Sequence, residues 1–518
     1  MEVKDSLFEL INALTKNEKI NFKKFISQNA SGKDSGYVLL YDILDKQKEF
    51  NRTDAVNSLL KKDCKDNYSE IRNYLYNKIL DFLANFHSTD SIQRYVDNEI
   101  LKAQVLFEKN LSADSKKILS QAKEIAKKNE LHLQILKIIR LEQMLVNKLK
   151  VDNISNVYHE FSNEQKVEIE KLTNSITYTN LINQLFSFYI NENQIRDVSL
   201  LQEIEKIMKH ELLTDYAKAI THNSKINFYY AKIYYYNLKS DKENLFDAYE
   251  KYIELLESEN YLKKENTYHY YVILGNYIML SIALRKFENI GEKIKIIENV
   301  KLSRQFQQDR IYNLLMLIKA KILTLQGNTE LLKVLLNKWE KESKDIFETP
   351  YHKELLLNYK LANAYFNFLV EDYKLANKHI MDILNDDKDE VRKDIVLFAR
   401  IFKLIIDFEL KKYDLLDFSI NATKALLKRH QQLFEFESML LKHLKELVFV
   451  NDKVEQIEKF KLLKTEILKD EFKLNLDLLN EQFNILAWID GKIENKNLLT
   501  IIKENALNEF PQIMSIKI

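Results

Sequence analysis

The chain has 518 residues, of which 46% are hydrophobic and 30% charged, which is enough apolar material for a folded protein and too much for a disordered one. Its 78 basic and 77 acidic side chains leave a formal net charge of +1, so the chain as a whole is not an electrostatic binder of nucleic acid or anionic lipid. One cysteine, Cys64, excludes an internal disulfide framework and a cysteine-rich metal site.

Glycine and proline usage points to the fold class. The chain holds 6 glycines and 2 prolines, whereas average usages are about 7% and about 5%. β-Hairpin turns rely on these two residues for their backbone angles. We therefore predict an all-α protein. No apolar run reaches the roughly 18–20 residues of a membrane span, and the N-terminus is acidic where a signal peptide is basic, so we expect a cytoplasmic protein without a span.

Residues 1–90 are predicted to form a small helical unit. Apolar residues in 7–14 recur at helical spacing. Thr15 and Glu18 then fit a capping box, in which each side chain bonds the backbone amide of the other, and this predicts a helix that starts near Lys16.

The stretch LTKNEKINFKKF (14–25) holds four lysines. It is either a basic contact patch or the wet face of an amphipathic helix. Phe22, Phe25 and Ile26 have the spacing of a buried stripe, which leaves the lysines mostly on the exposed side. Nearby acidic residues would cancel their charge, so we favour a solvated face.

Residues 91–430 are predicted to form tetratricopeptide-like helical hairpins. In such repeats a small residue in the first helix precedes a large apolar residue by three positions, and a second helix packs against the first. Ala103 is the small residue of one such hairpin, and two hairpins with weaker patterns are expected between it and residue 231. Further first-helix centres lie roughly 40 residues apart, at 231, 275, 320, 362 and 399. Residues 431–518 are predicted to be C-terminal helices that cap this α-solenoid.

Four N-terminal segments also share a pattern with known sequences. They are Leu14–Phe25, Leu40–Asn51, Asn73–Leu83 and Val105–Glu130. Together they resemble an uncharacterised family of long, all-helical, tetratricopeptide-like proteins common in Bacteroidota. The resemblance implies a bacterial, cytoplasmic helical-repeat protein and implies no reaction.

Catalytic motifs are absent from the sequence. We find no phosphate loop, dinucleotide glycine motif, HExxH, paired CxxC or nucleophile elbow. The 10 histidines are scattered, which favours surface or helix-end roles over a metal site. We therefore expect no enzymatic activity, no catalytic residue, no metal and no cofactor.

Two features favour a binding groove. Tyrosines crowd residues 228–236 and 268–277, where they either fill gaps between hairpins or face the groove. Hydrogen-bond donors follow the small residue of successive first helices, as in repeats that hold an extended peptide or a carboxylate, although a solvated polar face would look the same. The predicted groove residues are Gln104, Lys232, Tyr235, Tyr236, Asn276, Lys321, Asn363 and Arg400.

The predicted function is a scaffold or adaptor whose concave groove binds a protein or peptide partner. The alternative is a peptide-sensing regulator in which residues 1–90 act as an output unit, and in that class of protein the output unit is often a DNA-binding helix-turn-helix. Charges nearly balance over 1–90, and no helix there reads as an arginine-rich recognition helix, so we rank the regulator second and do not expect nucleic-acid binding. The sequence leaves the oligomeric state open.

Overall fold

The protein is all-helical in a computed structural model. The residues described are 5–29, 35–60, 67–88, 91–148, 153–191, 198–258, 263, 266–302, 304–346, 353–385, 393–429, 435–450, 452–472, 476, 479–480 and 483–517. Within these ranges the chain forms 25 α-helices and a few short 3-10 segments, and no β-strand. The all-α prediction is therefore confirmed. Cys64 lies outside the described residues, and none of the helices described has the length and apolar character needed to cross a bilayer.

Two compact units divide the chain, one of residues 1–181 with 215–225 and one of 182–214 with 226–518. The three-part division that we predicted from the sequence stays a prediction. The helices of the first unit are α1 (Ser6–Ala13), α2 (Lys16–Asn29), α3 (Ser35–Leu44), α4 (Arg52–Leu60), α5 (Tyr68–Phe86), α6 (Ile92–Glu108), α7 (Ser112–Lys128), α8 (His132–Val146) and most of α9 (Ile154–Asn191).

Helix α2 begins where the capping box predicts. The Thr15 backbone N–H donates to Glu18 Oε2 at 2.6 Å, and the Glu18 N–H donates to Thr15 Oγ1 at 3.3 Å. Lys19 Nζ lies 2.8 Å from Asp45 Oδ1, and Lys23 Nζ lies 3.1 Å from a carboxylate oxygen of Asp42. These acids neutralise two lysines of LTKNEKINFKKF, as expected for a solvated face.

Helices α1–α5 enclose their own hydrophobic cluster, which includes the fully buried Phe22 and Tyr41. A second cluster joins α6, α7 and α8. In it, the buried Ser115 hydroxyl donates to the backbone carbonyl of Ala103 at 2.8 Å, which ties the small residue of the first helix to the start of the second. The hairpin predicted around Ala103 is therefore present.

The second unit is a run of helical hairpins. Its helices are the end of α9, α10 (Val198–Met208), α11 (Glu211–Thr214), most of α12 (His222–Leu238), α13 (Lys242–Ser258), α14 (Thr267–Ala283), α15 (Ile290–Glu298), α16 (Gln305–Leu325), α17 (Thr329–Ile346), α18 (Lys353–Leu369), α19 (Tyr373–Asn385), α20 (Lys393–Glu409), α21 (Tyr413–Arg429), α22 (Glu435–Val448), α23 (Lys453–Ile467), α24 (Ile485–Glu494) and α25 (Leu498–Glu509). Each first helix packs on the next, α14 on α16, α16 on α18 and α18 on α20, which is the stacking of an α-solenoid.

Small residues allow the first helices to approach closely. Ala231, Ala320 and Ala399 are fully buried. A Cβ atom at Gly275 of α14 would lie 2.3 Å from Leu314 Cδ2 of α16, so this contact requires glycine or a displaced leucine. In α18 the fully buried alanine is Ala364, not the predicted Ala362.

The buried small residue of α18 therefore lies two positions after the predicted one. The distance in sequence from Ala364 to the buried Ala376 of α19 equals that from Ala103 to Ser115. With Ala364 as the small residue, the hairpin of α18 and α19 therefore has the same spacing as the hairpin at Ala103.

The C-terminal helices fold back over the first helices. Phe483, just before α24, is fully buried, and its ring centroid lies 5.0 Å from that of Phe402 and 5.5 Å from that of Phe368. Trp488 of α24 packs on Phe460 at 5.4 Å. Helix α25 then packs on α16. Residues predicted to cap the last hairpin thus also extend back along earlier ones. Both tryptophans of the chain, Trp339 and Trp488, are buried in this unit.

Left-handed turn positions are filled almost without glycine. Among the described residues, nine residues other than glycine have positive φ, and Gly327 is the glycine that does. They include Lys411, φ 57°, between α20 and α21, and Asn495, φ 53°, after α24. Because Cβ crowds the carbonyl oxygen in this conformation, each such residue costs stability, and asparagine the least.

Lys411→Gly is accordingly expected to stabilise the second unit by about 0.5–1 kcal/mol. Glycine relieves the steric clash in the left-handed conformation, and its larger conformational entropy in the unfolded state offsets part of this gain. The Lys411 side chain is exposed, so little else changes. Urea unfolding followed by tryptophan fluorescence measures the effect. Asn495→Gly is the matched control, with a smaller gain; a loss of stability in Lys411→Gly would contradict the account.

Candidate functional site

Six of the predicted groove residues directly follow the predicted small residue of a first helix, and the other two, Tyr235 and Tyr236, lie about one turn further along α12. Gln104 is exposed on α6 in the first unit, and the other seven belong to the second unit. Lys232, Asn276, Lys321 and Arg400 each follow a buried small residue and are half-buried. We call the surface of the second unit formed by Lys232, Asn276, Lys321, Arg400 and the equivalent position of α18 the first-helix face.

Lys232 of α12 has an unusual environment for a lysine. Its ammonium lies 4.7 Å from the centroid of the Phe228 ring, and the side chain is half-buried. No carboxylate of a described residue forms an ion pair with it. Burial, and then the positive charge of Lys251, lower the pKa of Lys232 below its usual value. This ammonium is therefore a cation without a counter-charge among the described residues.

Lys286 of the second unit offers a direct comparison with Lys232. Its ammonium lies 4.1 Å from the centroid of the Phe246 ring, much as Lys232 lies over Phe228. It also donates to Glu243 Oε2 at 2.8 Å, and this carboxylate supplies the missing charge. The comparison makes Lys232 a candidate anion-binding group.

Tyr235 and Tyr236 share a helix face with Lys232, three and four residues further along α12. Their ring centroids are 5.2 Å apart, and both side chains are half-buried. Lys239 Nζ donates to the Tyr235 hydroxyl at 3.3 Å. Burial raises the pKa of Tyr236, so its hydroxyl stays a neutral donor and acceptor near pH 7.

The tyrosine-rich helices divide between core and surface. Tyr252, Tyr270 and Tyr277 are buried and fill the gaps between hairpins. Burial raises the pKa of Tyr249, and its hydroxyl shares a hydrogen bond with the side chain of Asn276. Asn276 is therefore already engaged, although it remains half-buried.

Asn363 does not lie where the sequence pattern places it. It is 1% exposed, and its side-chain amide donates to the Tyr359 backbone carbonyl at 3.1 Å. Its side chain is thus not open to a ligand. Because the buried small residue of α18 is Ala364, the position on the first-helix face is Tyr365, whose ring packs 6.1 Å from that of Phe483.

A cavity of about 440 Å³ in the first unit was not foreseen from the sequence. Lysines, glutamates and one histidine line it. His132 Nδ1 lies 2.5 Å from Glu168 Oε2, and both side chains are buried. His132 Nε2 has no hydrogen-bond partner among the described residues. The two partners are 36 residues apart, on α8 and α9, so only the packing of these helices reveals the pair.

We also searched the described residues for a metal site and compared the chain with known proteins. Among the described residues, no three His, Cys, Asp or Glu side chains are placed to hold a metal ion. Comparison with protein families, with characterised proteins and with solved structures returned no match. The resemblance to the Bacteroidota family stays a prediction.

Proposed function

We propose that the protein is a non-enzymatic, cytoplasmic scaffold that binds a peptide or protein partner on the first-helix face around Lys232. The observation that carries the proposal is the half-buried Lys232 ammonium, which lies over an aromatic ring beside Lys251 and lacks a carboxylate among the described residues. A cation placed in this way gains most from an anion that a ligand supplies.

The chemistry around Lys232 fits an acidic peptide. An aspartate, glutamate or C-terminal carboxylate would accept a charge-assisted hydrogen bond from the ammonium. Tyr235 and Tyr236 add flat apolar surface with polar ends, the side-chain type that dominates binding energies at protein interfaces. We place the partner here rather than on α18, because Tyr365 is already packed against Phe483.

Lys232→Glu should reduce the amount of co-purified partner at least about tenfold, since it replaces the attracting cation by a repelling anion. The measurement is affinity purification of the tagged chain from its native host with quantitative mass spectrometry. Circular dichroism verifies that the helices remain intact.

Lys286→Glu is the matched control, because this lysine also lies over a phenylalanine ring but already has Glu243 as partner. We expect it to leave the captured proteins unchanged. Identical amounts of every captured protein with Lys232→Glu and the unaltered chain would refute the placement of the site.

A further inference from the structure

The chain holds one of its own short segments against the hairpins of the second unit. After α25 ends, residues 510–516, which we call the C-terminal segment, include a 3-10 turn at Pro511–Ser515. Ile513 is fully buried, within the hydrophobic cluster of α12–α16. Pro511, Gln512 and Ser515 remain exposed. Two buried side chains of the segment, Phe510 and Ile513, therefore anchor it.

Gln326, at the end of α16, recognises the main chain of this segment. Its Nε2 donates to the backbone carbonyl of Ile513 at 2.9 Å and to that of Ile516 at 2.8 Å. Both amide hydrogens are thus used on carbonyls that any residue would offer. Capture of main-chain groups combined with side-chain pockets is how peptide-binding surfaces achieve affinity and specificity.

Aromatic and charged contacts select the side chains. The Phe510 ring lies 5.3 Å from the Phe287 ring and 4.9 Å from the guanidinium carbon of Arg285. Arg285 also forms an ion pair with Glu509. An acid, an aromatic residue and, three positions further, an aliphatic residue therefore define what this surface accepts.

We propose that the surface formed by Arg285, Phe287 and Gln326 is a peptide-binding site, and that the C-terminal segment is a displaceable copy of its ligand. The ligand is a protein partner that presents the same pattern, an acid and an aromatic residue followed three positions on by an aliphatic one. The segment suits displacement because it is short and is held mainly by two buried side chains, Phe510 and Ile513, together with the side-chain amide of Gln326. The proposal is independent of Lys232 and extends the proposed function to a second site.

The test uses the full chain with Ile513→Asp, which removes the more deeply buried of the two apolar anchors of the segment and is expected to free the site. A fluorescent synthetic peptide of residues 508–518 (NEFPQIMSIKI) is the probe, with fluorescence anisotropy as the readout. We expect Ile513→Asp to bind the peptide at least about tenfold more tightly than the unaltered chain, whose site is occupied. Gln326→Leu added to Ile513→Asp should weaken this binding about tenfold or more, and a peptide that carries Ile513→Asp should not bind.

Three outcomes would overturn the proposal. One is a folded Ile513→Asp chain that does not bind the peptide, and another is binding that ignores Gln326→Leu. A peptide-sensitive dimer of the unaltered chain would assign the site to a second copy instead of a different partner.

Hydrogen exchange on the unaltered chain supplies a measurement that needs no substitution. If the C-terminal segment is displaceable, its amides should exchange at least about tenfold faster than those of α25. Equal protection in both would make the segment a permanent part of the core and sink the proposal.

Discussion

Phe483→Ala is expected to destabilise the second unit by about 3–5 kcal/mol. The ring is fully buried and touches Phe402, Phe368 and Tyr365, which belong to two different first helices. Its removal leaves a cavity at the point where the C-terminal helices dock. Because both tryptophans are buried in this unit, urea unfolding followed by their fluorescence reports on it directly.

Phe418→Ala is the matched control for this measurement. Phe418 lies on α21 of the same unit and is 77% exposed, so its loss should change stability by less than about 0.5 kcal/mol. If both substitutions had the same small effect, residues 483–509 would not be part of the folded core.

Glu168→Ala should destabilise the first unit by about 3–5 kcal/mol, since it leaves the buried His132 and its neighbour Lys171 without their carboxylate. The first unit contains no tryptophan, so loss of the helical circular-dichroism signal at a lower urea concentration, ahead of the tryptophan transition, is the expected signature. Glu160→Ala, on the exposed side of α9, is the matched control and should not change the urea concentration at which the first unit unfolds.

His132→Leu combined with Glu168→Leu tests the same pair from the other side. Replacing both partners by apolar residues removes the need to bury charge, so the double substitution should cost less than Glu168→Ala alone. A double substitution that costs more would mean that the pair stabilises the unit by itself.

Local signals in the sequence predicted local structure well. The side chains of Thr15 and Glu18 fix the start of α2 because a cap involves neighbours in sequence. The near-absence of glycine and proline predicted the fold class, because the turns of β-hairpins rely on these two residues and turns are also local structures. The small residues at 231, 275, 320 and 399 marked first helices correctly, since a helix crossing demands a small side chain wherever it occurs.

Long-range packing set the limits of prediction. Ala362 and Ala364 are both small residues in α18, and only the neighbouring helices decide that Ala364 is the one fully buried. Because Ala364 faces the neighbouring helices, Asn363 is buried and does not lie in the predicted groove. Likewise, neither the contact of Phe483 with Phe402 nor the pair of His132 with Glu168 has a periodic or capping signal, because in each case the partners belong to different elements that only tertiary packing brings together.

The return of the C-terminal residues onto α16 has a consequence for the order of synthesis. Gln326 bonds carbonyls that lie 187 and 190 residues later in the chain. At a translation rate of about 5–20 residues per second, α16 leaves the ribosome roughly 10–40 s before the segment that covers it. During that interval the apolar surface that Phe510 and Ile513 later cover is open to solvent. Docking of the C-terminal segment therefore comes after the hairpins that it covers have been synthesised, although each hairpin is local.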